Sequence, residues 1–139
     1  MYVGEKVRLR EYRKEDINQR LSLINDPEVL RYVESGVPYP LTLNEELKWF
    51  ESISAFKSTY RFAIETLEDS RFIGDCGINS VDWKNSVADV VIFIGDKNYW
   101  GKGYGTDAMK IMLKFIFMEM NLNKVRLSVY SFNERAIKC

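Results

Sequence analysis

Residues 90–106 read VVIFIGDKNYWGKGYGT, from Val90 to Thr106. The opening run, Val90-Val91-Ile92-Phe93-Ile94, is apolar without alternation, as expected of a strand buried on both faces. Gly95 follows, then Gly101, Gly103 and Gly105 at alternate positions, and Thr106 opens a long apolar segment. Strand, glycine loop and helix start therefore share one stretch. Glycine tolerates positive φ and lets a ligand approach the main chain closely. The first turn of a helix offers amides with no intrahelical acceptor and a dipole behind them, so the guest such a loop suits is an anion, phosphate or pyrophosphate.

Two familiar phosphate loops fail on spacing. A P-loop needs Gly-x-x-x-x-Gly-Lys-[Ser/Thr], but five residues lie between Gly95 and Gly101, and Gly103 follows Lys102. A dinucleotide fingerprint needs Gly-x-Gly-x-x-Gly, which Gly101-x-Gly103-x-Gly105 does not supply. It also wants an acid at the end of the next strand, where Tyr130 and Ser131 stand.

Outward from this stretch, periodicity predicts a first strand at residues 6–12, where Val7 and Leu9 alternate with Arg8 and Arg10. A helix at 15–24 shows Ile17, Leu21 and Ile24 on one face, and Asp26-Pro27 restarts a short helix to residue 32. A loop with Gly36, Pro38 and Pro40 leads to Thr42-x-x-Glu45, a capping box that opens a helix to about residue 53. Strands at 60–66 and 71–78 make a hairpin about Glu68-Asp69, and a third, 88–94, follows a turn at 82–85. After the glycine loop come a helix at 106–120 and a strand at 124–132. The expected fold is α+β, a mixed and mostly antiparallel sheet flanked by helices, with one β-loop-α-β crossover. The last helix is apolar around most of its circumference, with a narrow polar stripe of Asp107, Lys110 and Lys114, so it should be covered on its flanks and its methionines should be core.

Composition narrows the chemistry. The chain has 139 residues, the size of one domain, with 46% apolar and 14% aromatic residues to fill a core. Twenty basic residues balance 20 acidic ones, so no net field draws the protein to nucleic acid or an anionic membrane. There is no histidine, which excludes a Ser-His-Asp triad, a Cys-His dyad and any His-ligated metal. Proton transfer must fall to Asp, Glu, Tyr, Lys, Cys, the backbone or water. Cys76 and Cys139 are too few for a disulfide scaffold or a thiolate metal site, so no metal is expected. No signal peptide or membrane span is legible, and a cytoplasmic location is the expectation.

Trp100-Gly101-Lys102-Gly103-Tyr104-Gly105-Thr106 resembles the acetyl-CoA pyrophosphate loop of the GNAT N-acetyltransferases, Arg/Gln-x-x-Gly-x-Gly/Ala, with Trp100 where Arg or Gln is usual. Asn133-Glu134-Arg135-Ala136 is similar to the family's last motif, Asn-x-x-Ala-x-x-x-Tyr, and Val7-Arg8-Leu9-Arg10 and Phe72-Ile73-Gly74 also fit. The wording is close to the subgroup that acetylates ribosomal-protein amino termini, polyamines, amino sugars and antibiotics. The motif's tyrosine would fall one place after Cys139. The expectation is thus one domain over residues 1–139, incomplete at its carboxy terminus and lacking two closing strands, with exposed edges that invite self-association.

The resemblance implies direct attack of a primary amine, on a small molecule or peptide, on the acetyl-CoA thioester. Backbone amides from Gly101 to Thr106 would take the pyrophosphate, the edge of Ile92, Phe93 and Ile94 would pair with the pantetheine arm, and Asn133 would contact the coenzyme. Asp89 is the first candidate base, Asp75 the second and Glu34 the third; a carboxylate can serve an alkylammonium through water only in a desolvated site. Trp49, Tyr39 and Trp100 are candidate walls of the acceptor pocket. Two alternatives remain at this stage: a non-catalytic CoA-binding module, and a nucleotide-phosphate site on an unrelated βα unit.

Overall fold

A computed structural model describes residues 2–33, 40–55 and 60–127. Its strands are β1 (Tyr2–Val3), β2 (Val7–Glu11), β3 (Tyr60–Thr66), β4 (Phe72–Asp82), β5 (Val87–Ile94) and β6 (Lys124–Leu127). They form one sheet in the order β1-β2-β3-β4-β5-β6. Every neighbouring pair is antiparallel except β5 and β6, which run parallel as a crossover connection requires. The helices are α1 (Asp16–Ile24), α2 (Pro27–Val33), α3 (Leu43–Ala55) and α4 (Tyr104–Lys114). The expected mixed sheet with flanking helices and one crossover is what forms.

The two faces of the sheet are held by different chemistry. On the α4 face, Val7, Leu9, Ile64, Cys76, Ile78, Val90, Ile92 and Ile94 meet Ala108, Met109, Met112 and Ile116 in one apolar core. Burial also pushes the Cys76 thiol up from its ordinary pKa, and the Asp75 charge beside it adds to the shift. On the α1 face, an apolar cluster of Ile24, Val29 and Phe93 is joined by a layer of buried ions. The buried Arg10 guanidinium makes two 2.8 Å bonds to Asp16 of α1 and a 2.7 Å bond to Glu65 of β3, which Arg8 also reaches at 3.1 Å. Arg10 stands on the polar side of the predicted alternation, yet that side is covered.

Several elements differ from expectation. The first strand is preceded by β1, too short to carry a period of its own. β4 runs to Asp82, beyond the expected end at residue 78, and its pairing shifts between Ile78 and Ser80. The helix after the glycine loop turns into a π-helical segment at Phe115–Glu119, closed by Met120 N–H donating to the Phe115 carbonyl. Met109 and Met112 are core as expected, but Phe117 and Met118 are exposed, so the helix is not covered all round. Asp107, expected on the polar stripe, is buried. The strand expected at residues 124–132 is described only as far as Leu127.

Candidate active site

The end of β5 is shaped by close packing. A Cβ on Gly74 would sit 1.9 Å from the Phe93 carbonyl oxygen, so only glycine lets β4 and β5 pair there. Beyond Ile94, the Gly95 and Asp96 amides both donate to the Ile73 carbonyl. The buried Asp96 carboxylate accepts from the Asn98 amide and from Arg71 Nε, each at 3.1 Å, and caps a short 3-10 turn at Lys97–Tyr99. The Trp100 indole donates to the Ile94 carbonyl at 2.7 Å and packs with Phe93, Ile24 and Val29. Trp100 thus braces the loop against β5 and is not among the residues lining the pocket described below.

Gly101 and Gly103 then take φ of 70° and 88°, in the left-handed region where a side chain is strained. Gly103 is the N-cap of α4, and its carbonyl takes the first helical bond, from the Asp107 amide at 3.0 Å. The Tyr104, Gly105 and Thr106 amides lie ahead of that bond and have no intrahelical acceptor. The Thr106 hydroxyl is buried with no hydrogen-bond partner among the described residues. Lys6, which sequence reasoning did not single out, reaches this loop from the start of β2. Its ammonium stands 5.3 Å from the Tyr104 ring centre, and its Cε would lie 3.5 Å from a Cβ on Gly103. Successive amides, an orphan hydroxyl, a helix dipole and the Lys6 cation fit a pyrophosphate.

On the α1 face, a pocket of about 500 Å³ opens beside β5, lined by Val91, Ile92 and Phe93 together with Arg20, Glu45, Glu46, Trp49, Arg61, Asp75 and Asn79. Asp75 is almost fully buried here. It accepts from Arg20 Nε at 3.0 Å and the Tyr12 hydroxyl at 3.2 Å, and Arg61 stands at 3.6 Å. Burial and the Asp75 charge hold the Tyr12 phenol well above its ordinary pKa, so it remains a donor. Arg61 Nη2 also donates to Asn79 at 2.7 Å. Among the described residues its Nε has no partner. Glu46 and Arg61 were missed in the sequence; only the fold brings them to Asp75.

The two leading candidate bases are separated. Asp75 pairs across the strands with Phe93, inside the pocket. Asp89 lies four positions before Phe93 on β5, opposite Arg126 of β6 with 3.8 Å between charges, and does not line the pocket. Trp49 does line it. Ile92 and Ile94 face α4, and Phe93 faces α1. The last described β5–β6 pair is Val90 with Leu127, and residues 91–94 continue beyond it. Glu34, Tyr39 and Asn133 lie outside the described residues. Among the described residues, no His, Cys, Asp or Glu group is placed to hold a metal ion, and no helix is long and apolar enough to cross a membrane.

Comparison with known proteins converges on one family. The family model described as acetyltransferase (GNAT) domain matches residues 6–139. The SPbeta prophage-derived uncharacterized N-acetyltransferase YokL of Bacillus subtilis (strain 168) is 32% identical over 138 residues, covering 99% of this chain and 74% of that protein. The uncharacterized N-acetyltransferase p20 of Bacillus licheniformis is 29% identical over 138 residues, covering 96% of this chain and 75% of that protein. Among solved structures, the spermidine N-acetyltransferase from Vibrio cholerae in complex with CoA and spermine superposes with a TM-score of 0.77 at 22% identity, over 95% of this chain and 76% of that one. That last likeness is one of fold. The chain belongs to the GNAT acetyltransferase family. It is an acetyltransferase, built on a fold whose members use acetyl-CoA.

Proposed function

We propose that the chain transfers the acetyl group of acetyl-CoA to a primary amine seated in the pocket that Trp49, Asp75 and Phe93 line. The observation that carries this reading is the juxtaposition of two sites across the end of β5: the glycine loop on one side and the charged pocket on the other. Bound acetyl-CoA would supply a thioester acyl group activated toward nucleophiles. The Tyr104, Gly105 and Thr106 amides, with Lys6 beside them, would hold its pyrophosphate, and residues 92–94 would guide the pantetheine arm toward the pocket.

Three acids, Glu45, Glu46 and Asp75, face two arginines, Arg20 and Arg61, in the pocket lining. The balance of one negative charge suits an ammonium-bearing acceptor. A polyamine is one such acceptor, and the likeness to a spermidine acetyltransferase fold is consistent with it. Of the two leading candidate bases, Asp75 is preferred, because it alone lines the pocket. Asp75 is already bonded by Arg20 and Tyr12 with Arg61 beside it, so its contribution would be to attract the ammonium, whose proton leaves to water. With an alkylamine acceptor, transfer should then speed up with pH toward the amine's own pKa of about 10.

Thiol release tests this. With acetyl-CoA, free CoA should appear above the hydrolysis background with spermidine, glucosamine or an alanine-initiated peptide, and not with forms in which every amine is acetylated. Binding of acetyl-CoA without CoA release across all these amines would contradict the reading.

A further inference from the structure

Arg20 lies on the inner face of α1, and its side chain is 12% exposed. It touches three other elements at once. Nε donates to Asp75 of β4 at 3.0 Å, Nη1 donates to Glu46 of α3, and the guanidinium lies 3.9 Å from the Trp49 ring centre and 5.6 Å from that of Phe93 on β5. We propose that Arg20 is the positioning residue of the acceptor pocket, fixing the α3 wall that carries Glu46 and Trp49 at a set distance from the β4–β5 floor. The inference rests on reading this pocket as the acceptor site.

The geometry asks for arginine specifically. A planar fork can bond two carboxylates on different elements in its plane while its flat face stacks on an indole, and a lysine ammonium cannot do both. Further contacts also join α3 to the sheet side. Tyr12 meets Trp49 and Phe50 by ring contacts at 5.6 and 6.2 Å. Arg61 stands 5.6 Å from the Trp49 ring and is bonded to β4 groups, not to α3. Truncating Arg20 would also strand Glu46 and part of Asp75 as buried charges with fewer partners, so the wall should shift rather than merely loosen.

The test compares Arg20→Lys and Glu46→Gln with wild type, using the best acceptor among spermidine, glucosamine and an alanine-initiated peptide. In Arg20→Lys the KM for the amine should rise about tenfold, a loss of about 1.4 kcal/mol, while the KM for acetyl-CoA stays within about twofold. Glu46→Gln, which keeps the shape and removes the charge, should move the amine KM the same way by less. Hydrogen exchange of Arg20→Lys should quicken in α3 and leave α4 unchanged. An unchanged amine KM in Arg20→Lys would overturn this inference alone. So would parallel loss of amine and acetyl-CoA parameters with faster exchange throughout, which would mark a general structural role. A wild type that acetylates no amine would overturn the functional reading itself, and this one with it.

Discussion

Asp107 sits in the first turn of α4, but its carboxylate turns back on the chain's start, accepting from the amides of Glu5, Lys6 and Val7 at 3.1, 2.8 and 3.0 Å. A charged acceptor shared by three main-chain donors pins β2 to the helix that carries the glycine loop. Gly4 completes the fit, since a Cβ there would lie 2.5 Å from the same carboxylate. Asp107→Asn replaces one acceptor oxygen with a donor facing backbone amides, and should lower unfolding stability by about 2 kcal/mol in denaturant titration. Loss within about 0.5 kcal/mol would show that the three bonds contribute little. None of this is visible in the sequence. Asp107 shares a helical stripe with Lys110 and Lys114, and its partners lie some 100 positions earlier. Periodicity reports which face a residue lies on; it cannot report a distant loop folding over that face.

At the scale of elements, local signals proved legible wherever their chemistry is local. The capping box is one case: the Glu45 amide donates to Thr42 Oγ1 and the Thr42 amide to Glu45 Oε1, each at 3.2 Å, and α3 starts at Leu43 as expected. Asp26 is another. Its carboxylate accepts from the Glu28 amide at 2.9 Å at the opening of α2 and reaches Lys97 at 3.1 Å. The Glu28 amide first and Lys97 next hold its pKa below the usual aspartate value. A depressed carboxylate stabilises the fold above its unfolded pKa and loses that contribution as pH falls through the folded value. Wild type should therefore be more stable than Asp26→Asn near pH 6, and the gap should narrow as pH falls below the ordinary aspartate value. A pH-independent gap would rule out the charge as its origin. The π-helical end of α4 was less legible, because an i→i+5 turn uses the same apolar residues as an α-helix.

At the scale of the molecule, the glycine loop together with the motif from Asn133 and the strand openings pointed to the family, while the acceptor side was not legible. The loop is written in consecutive residues from Trp100 to Thr106, and its strained positions demand glycine. The pocket is assembled from α1, α3, β3, β4 and β5, so Arg20, Glu46, Arg61 and Asp75 come together only through tertiary structure. Asp89 drew attention because it begins the central strand, yet strand geometry carries it about 13 Å from Phe93. The division of labour between the faces explains the pattern. The apolar core beneath α4 follows hydrophobic periodicity, whereas the ionic layer beneath α1 reads in sequence as ordinary surface charge.

On this reading, the backbone of the glycine loop holds acetyl-CoA. Calorimetric titration of acetyl-CoA into wild type and Gly103→Asp tests it most directly. At φ of 88°, an aspartate would strain the cap of α4 and set a carboxylate against the pyrophosphate. Wild type should bind, and Gly103→Asp, with its fold verified by circular dichroism, should lose at least about a hundredfold in affinity. Equal affinity in the two proteins would mean that the glycine loop does not hold the pyrophosphate.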